Sequence, residues 1–168
     1  MEQLCDSYSK NFMIDLKVAR LFSVYGNELK KQLIWDICKN LSQGKKNLVF
    51  AGSGDEKRDW LHVSDAVAAL EIIANSDAVQ RSAQAINVGN GIGISVQEFV
   101  YAVLECWQNN GKKTNIANIK FSGEKRAGDP YSLIADIKKL SHLGYISKVC
   151  LKQGIRSYVE WFKNTVRN

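Results

Sequence analysis

Asn47-Leu48-Val49-Phe50-Ala51-Gly52-Ser53-Gly54-Asp55-Glu56-Lys57-Arg58-Asp59-Trp60-Leu61-His62-Val63-Ser64-Asp65 carries the reading of the fold. Asn47 to Ala51 is a short run suited to a strand, and Gly52-Ser53-Gly54-Asp55 is turn chemistry, because glycine and aspartate tolerate backbone angles that larger residues resist. Trp60 to Val63 then reads as a brief extended segment. Ser64 or Asp65 can cap a helix that carries Val67, Ala68, Leu70 and Ile73 to about Asn75.

Working outward, the alternation continues. Residues 1 to about 13 place Leu4, Tyr8 and Phe12 (or Cys5) on one helical face, and Leu16 to Phe22 reads as a strand leading into a loop at Gly26. Leu29 to Gln43 returns to helical period through Leu33, Ile34, Ile37, Cys38 and Leu41, with Gly44 as its stop. Ala85 to Val88 is a strand ending at Gly89, and Ser95-x-x-Glu98 is a capping box ahead of Phe99, Val103 and Cys106. Ile116 to Phe121 is a further strand, Asp136 starts a short helix ending at Gly144, and Leu151 to Val166 is an amphipathic helix. Strands alternating with helices define the α/β class. No repeat, low-complexity tract or proline-rich linker divides the chain, so residues 1–168 read as a single unit. The one proline, Pro130, lies in the long irregular stretch Ser122 to Tyr131, and loops of that length tend to carry function.

Composition narrows the function classes. The 168 residues are 45% hydrophobic and 24% charged, the balance of a globular domain. Apolar runs stop well short of the ~20 residues of a membrane span. Glu2 and Asp6 stand where a secretory signal would be basic, so a cytoplasmic protein is expected, with no membrane partner. Cys5, Cys38, Cys106 and Cys150 form no Cys-x-x-Cys pair, and only His62 and His142 could join them on a metal, so free thiols are expected. The net charge of +6 is spread along the chain, with short lysine pairs such as Lys30-Lys31 and Lys138-Lys139 and no long basic tract. A nucleic-acid partner would rest on that charge alone and is not expected.

Two arginines stand beside turns: Arg58 after the Gly52–Gly54 cluster and Arg126 in Arg126-Ala127-Gly128-Asp129-Pro130. Meeting across a cleft, they would clamp a pyrophosphate, since the planar guanidinium fork matches phosphate oxygens. Taken singly, an Arg-Asp neighbour pair also suits a surface ion pair. The order of motifs is Arg20-Leu21-Phe22-Ser23-Val24-Tyr25-Gly26, then Arg58-Asp59-Trp60-Leu61-His62-Val63-x-Asp65, then Ile86-Asn87-Val88-Gly89 with Ser95 and Glu98, then Arg126-x-Gly128-Asp129 with Ala135-Asp136 and Leu143-Gly144-Tyr145. As a set they strongly resemble the extended short-chain dehydrogenase/reductase family, the group of UDP-glucose 4-epimerase and dTDP-glucose dehydratase.

The resemblance implies a C-terminal substrate-binding part carrying the last strands of a truncated Rossmann sheet, with a nucleotide diphosphate sugar as ligand. It implies that Arg58 and Arg126 contact the pyrophosphate and that Asp129 holds the ribose. Val49 and Ala51 fall where side chains pack on the base, a place that ordinary strand packing explains equally well, and Asn87 falls where an asparagine approaches the nucleotide. Ser23 stands where many members carry an asparagine that bonds the sugar or its phosphate, and Tyr25-Gly26-Asn27 lacks the proline often found there. These departures leave the choice of sugar open, and the pocket wall is expected to differ from that of the best-known epimerases.

The family's other half has no counterpart here. Gly52-Ser53-Gly54 and Gly89-Asn90-Gly91-Ile92-Gly93 lack the glycine spacing of a dinucleotide turn, and no tyrosine is followed four residues on by lysine, the pair that abstracts the sugar proton. By the resemblance, Glu2 lies just past the place of that lysine. The expectation is NAD or NADP in a full-length parent, no cofactor and no catalytic residue in this chain alone, and self-association through surfaces left uncovered. The alternative is a non-catalytic module that binds nucleotide sugar or a partner.

Overall fold

The computed structural model describes residues 1–76, 84–108, 118–124 and 128–166. Helix α1 (Glu2–Phe12) ends where Met13 turns left-handed at φ 52°. Its Leu4, Tyr8 and Phe12 face is exposed, and Ser9 is its one buried residue. Glu2 and Arg20 form an ion pair that ties the helix to the next strand.

That strand, β1 (Lys17–Leu21), runs parallel to β6 (Gln84–Val88), from Lys17 opposite Gln84 to Leu21 opposite Val88. The expected loop after Phe22 is instead a second strand, β2 (Ser23–Tyr25), parallel to β5 (Trp60–His62). The chain changes partner between two consecutive amides: Phe22 N–H donates to Val88 O and Ser23 N–H to Asp59 O. One extended segment thus serves two neighbours.

Helix α2 (Gln32–Ser42) starts later than its apolar stripe implies. The Leu29 carbonyl, which a helix begun there would need, accepts the Tyr158 hydroxyl at 2.5 Å. Glu28 and Gln32 take left-handed φ values of 71° and 67°. Strand β3 (Asn47–Phe50) pairs parallel with β8 (Asn118–Phe121); positions 116 and 117 of the expected strand lie outside the described residues.

Helix α3 (Val63–Asn75) follows β5 directly. Its cap is His62, whose Nδ1 accepts from Ser64 N–H at 3.3 Å, and neither Ser64 nor Asp65 fills that role. Asp65 is buried instead, accepting from the Ser147 hydroxyl and the amides of Lys148 and Val149. Strand β4 (Lys57–Arg58) lies between β7 (Ile94–Ser95), antiparallel, and β9 (Ser132–Leu133), parallel. Helix α4 (Val96–Gln108) opens on the expected capping box, with Ser95 N–H on the Glu98 carboxylate at 2.8 Å and Glu98 N–H on Ser95 Oγ at 3.1 Å. Helices α5 (Lys138–His142) and α6 (Leu151–Thr165) complete the order.

Two apolar clusters hold these elements. The larger joins α2, α4 and α6 through Ile37, Phe99, Val103, Tyr158 and Phe162, with Trp60 stacked on Phe99 at 3.8 Å between ring centres. The smaller joins β5, β6, α3 and α5 through Leu61, Ala69, Ile73, Val88 and Leu140. Each fully buried side chain of this kind contributes about 1.5–3 kcal/mol.

Candidate functional site

Strand β4 places Arg58. Its neighbour β9 arrives with Tyr131 O accepting from Lys57 N–H at 2.9 Å and Leu133 O accepting from Asp59 N–H at 3.1 Å, so Pro130 is carried to the guanidinium. Arg58 Nη1 donates to Lys57 O and Pro130 O, both at 2.9 Å. One nitrogen is thereby fixed, and the Nε–Nη2 edge keeps its donors free of partners among the described residues. A guanidinium pinned on one side and open on the other suits bidentate contact with an anion.

Arg58 lies between two cavities. The first, about 370 Å³, is lined by Phe50, Ala51, Arg58, Trp60, Asp129 and Tyr131, with Glu56 and Glu124 at its wall. The second, about 470 Å³, is lined by Ser23, Gln32, Leu33, Arg58, Trp60 and Leu133 among others. Ser23, Ala51 and Asp129 are thus gathered around one arginine. Val49 is not: it is 68% exposed and lines an adjoining recess with Lys39 and Lys45, which shares Phe50 and Ala51 with the first cavity. Asn87 is also elsewhere, on β6, donating its side-chain amide to Asp136 O at 3.2 Å. Arg126 lies outside the described residues.

The two glycine turns are filled from within. Glu56 accepts from Ser53 N–H at 2.8 Å and Gly54 N–H at 2.9 Å, and these bonds, led by the Ser53 amide, hold its carboxyl below the usual range. Asp59, fully buried, accepts from the amides of Asn90, Gly91 and Ala135 at 2.7, 2.8 and 3.1 Å. Gly89 is required there, since a Cβ would lie 2.6 Å from Asp59 Oδ2. Backbone amides that could cradle a dinucleotide phosphate are committed to carboxylates of the same chain, so neither turn fits NAD.

Trp60, Tyr131, Gln32 and Glu56 line these cavities without having been singled out as site residues. Trp60 and Glu56 were within reach of a sequence reading, being two residues either side of Arg58. Gln32 gave no signal, because its placement depends on a left-handed φ.

Parallel strand pairs covered by helices, opening onto an arginine-bearing cleft, place the chain among Rossmann-type α/β proteins. Residues 1–89 match the model of the NAD dependent epimerase/dehydratase family, more than half of the 168 residues, and the chain belongs to that family. It is similar to GDP-L-fucose synthase of Escherichia coli, 25% identical over 175 aligned residues that cover 95% of this chain and 52% of that protein. It superposes on UDP-glucuronic acid 4-epimerase from Bacillus cereus, solved with UDP-glucuronic acid and NAD, at a TM-score of 0.82 and 25% identity, covering 97% of this chain and 50% of that one. An epimerase from Methanothermobacter thermautotrophicus shares the fold at a TM-score of 0.85 and 22% identity, over 99% of this chain and 48% of that one. The chain spans about half the length of these relatives.

Proposed function

We propose that this chain is the nucleotide-sugar-binding portion of an NAD-dependent epimerase/dehydratase acting on a UDP-, dTDP- or GDP-sugar. The observation that carries the reading is the position of Arg58, fixed through one nitrogen and lining both cavities. Arg58 takes the diphosphate with Arg126, Asp129 holds the ribose, Ala51 and Val49 flank the base, Asn87 approaches the nucleotide and Ser23 faces the sugar. Placement supports Arg58, Asp129, Ala51 and Ser23 more strongly than Val49 and Asn87, which line neither cavity.

NAD or NADP serves the whole protein in this reading. The 168-residue chain has no turnover and no specific NAD affinity, because both glycine turns are filled by carboxylates and the tyrosine–lysine pair is absent. The protein is cytoplasmic, and no described helix is long and apolar enough to cross a membrane. A second reading, a non-catalytic module that docks a partner or another copy, is favoured by the exposed Leu4, Tyr8 and Phe12 face of α1.

Calorimetric titration with UDP, dTDP and GDP tests the first reading. Arg58→Ala is expected to remove about 1.5–3 kcal/mol of diphosphate affinity. Undiminished affinity in that variant would overturn the assignment.

A further inference from the structure

Asp59 stands between Arg58, the last residue of β4, and Trp60, the first of β5, and it lines neither cavity. It is fully buried. Its main chain already serves two strands: Ser23 N–H of β2 donates to its carbonyl, and its own N–H donates to Leu133 O of β9, both at 3.1 Å. Its carboxylate adds the Asn90 amide on Oδ1 at 2.7 Å and the Gly91 and Ala135 amides on Oδ2 at 2.8 and 3.1 Å. One residue thus joins β2, β9, the turn after β6 and the segment that follows β9.

The bond to Ala135 bears on the cleft. The pairing of β4 with β9 is only two residues long, Lys57 opposite Ser132 and Arg58 opposite Leu133, and both β9 residues are exposed. So short and exposed a ladder specifies its own register weakly. That register decides where Pro130 lies, and the Pro130 carbonyl is one of the two acceptors that hold Arg58 Nη1. Asp59 grips β9 at Leu133 through its backbone and just beyond at Ala135 through its carboxylate, and a slip of one residue would break both. The slip is costly, since a buried carboxylate that loses its donors is heavily penalised.

We infer that Asp59 is a positioning residue of the cleft: its carboxylate locks β9 in register and, through Pro130, sets the Arg58 guanidinium for an anion that Asp59 never touches. The diphosphate as that anion rests on the nucleotide-sugar reading given above; the lock on Arg58 does not.

Three measurements on the 168-residue chain test this. Asp59→Asn keeps the size and one acceptor oxygen, but its NH2 group must face at least one of the three amide donors. The Arg58 Nε–H signal in nitrogen-15 NMR, assigned by its loss in Arg58→Ala, is expected to shift in Asp59→Asn with no ligand added. Calorimetry with UDP and GDP is expected to show about fivefold weaker binding by folded Asp59→Asn. Adding Asp59→Asn to Arg58→Ala is expected to change affinity by no more than about twofold, because the first acts through the second; a general loosening of the fold would weaken the double variant further. Amide hydrogen exchange on the unaltered chain needs no variant. The Lys57 and Asp59 amides, which report the β4–β9 ladder, are expected to open together with those of Asn90, Gly91 and Ala135.

An unmoved Arg58 Nε–H signal in folded Asp59→Asn overturns the proposal, as does undiminished UDP or GDP affinity in that variant, or a loss that adds in full to that of Arg58→Ala. If Asp59→Asn does not fold, the exchange measurement decides: ladder amides that open well ahead of the three carboxylate-bound amides overturn the lock, and a shared opening supports it. Absence of UDP or GDP binding by the unaltered chain is a different result. It removes the nucleotide-sugar reading, and the lock on Arg58 then stands or falls by the ligand-free NMR and exchange measurements.

Discussion

The side of the molecule built from α2, α4 and α6 is closed, whereas the side built from α1, β1 and α3 is open. Phe99, Val103, Tyr158 and Phe162 on the first are at most 1% exposed. On the second, Leu4, Tyr8 and Phe12 of α1 are 57%, 52% and 63% exposed, Leu21 of β1 is 51%, and Val67 of α3 is 58%. These elements are neighbours, α1 tied to β1 by the Glu2–Arg20 pair and α3 packed against β1. Apolar side chains at helical spacing that meet nothing are shaped for a surface other than water. The cavities border the closed side through Leu33, and the second is also lined by Leu21 of β1.

Substitutions are therefore expected to act unequally on the two sides. Phe99→Ala, which removes a fully buried ring lying 3.8 Å over Trp60, is expected to cost about 3–5 kcal/mol in denaturant unfolding. Tyr8→Ala on α1 is expected to stay within about 0.5 kcal/mol of the parent. Comparable losses would show that the α1 face is packed in solution and the contrast mistaken.

A smaller effect sharpens the same point through association. Replacing Leu4, Tyr8 and Phe12 together by lysine leaves the folded core untouched and adds charge to the open face. Sedimentation velocity should show the parent self-associating and the triple variant shifted to smaller species at equal concentration, with Tm little changed. A monodisperse parent monomer would mean that the open face is tolerated by water and that no partner or second copy is needed to cover it.

How much of this was legible in the residues follows the range of the interaction that decides each feature. The Ser95/Glu98 capping box is complete within four residues, and it forms as read. The α2 start depends on Tyr158 reaching Leu29 across 129 positions, which no local period records. Strands β4, β7 and β9 are two residues each, too short for alternation to show, although they form the sheet that aims Arg58. The α1 stripe was readable as a helix face, but whether it faces a core depends on what covers it. Around the cavities, the motif order named Ser23, Ala51, Arg58 and Asp129, which line them, and Val49 and Asn87, which do not, while Gln32 became visible only once β2, β4 and α2 met.

The smallest expected effect probes the seam between the two sides. His62 sits there: its ring meets Tyr25 of the closed cluster edge-on at 5.6 Å, and its Nδ1 caps α3 of the open side. Its Nε2 is buried without a partner among the described residues. Burial pushes its pKa below the ordinary 6.5, with the nearby Asp65 carboxylate opposing in part. The unfolded chain therefore takes up a proton at a pH where the folded chain still resists it, so stability is full above about 6.5 and declines as pH falls toward the folded value. Protonation would also convert the Nδ1 acceptor into a donor and release the Ser64 amide. Glu56 and Glu98, both held below 4.5 by hydrogen bonds, add a fall of the same sign at lower pH, which leaves the histidine its own window. Tm measured between pH about 7.5 and about 5.5 should drop in the parent and stay nearly flat in His62→Gln, whose side chain keeps an acceptor and has no proton to gain. Equal slopes in the two proteins would place the acid sensitivity elsewhere and leave the seam without a titrating group.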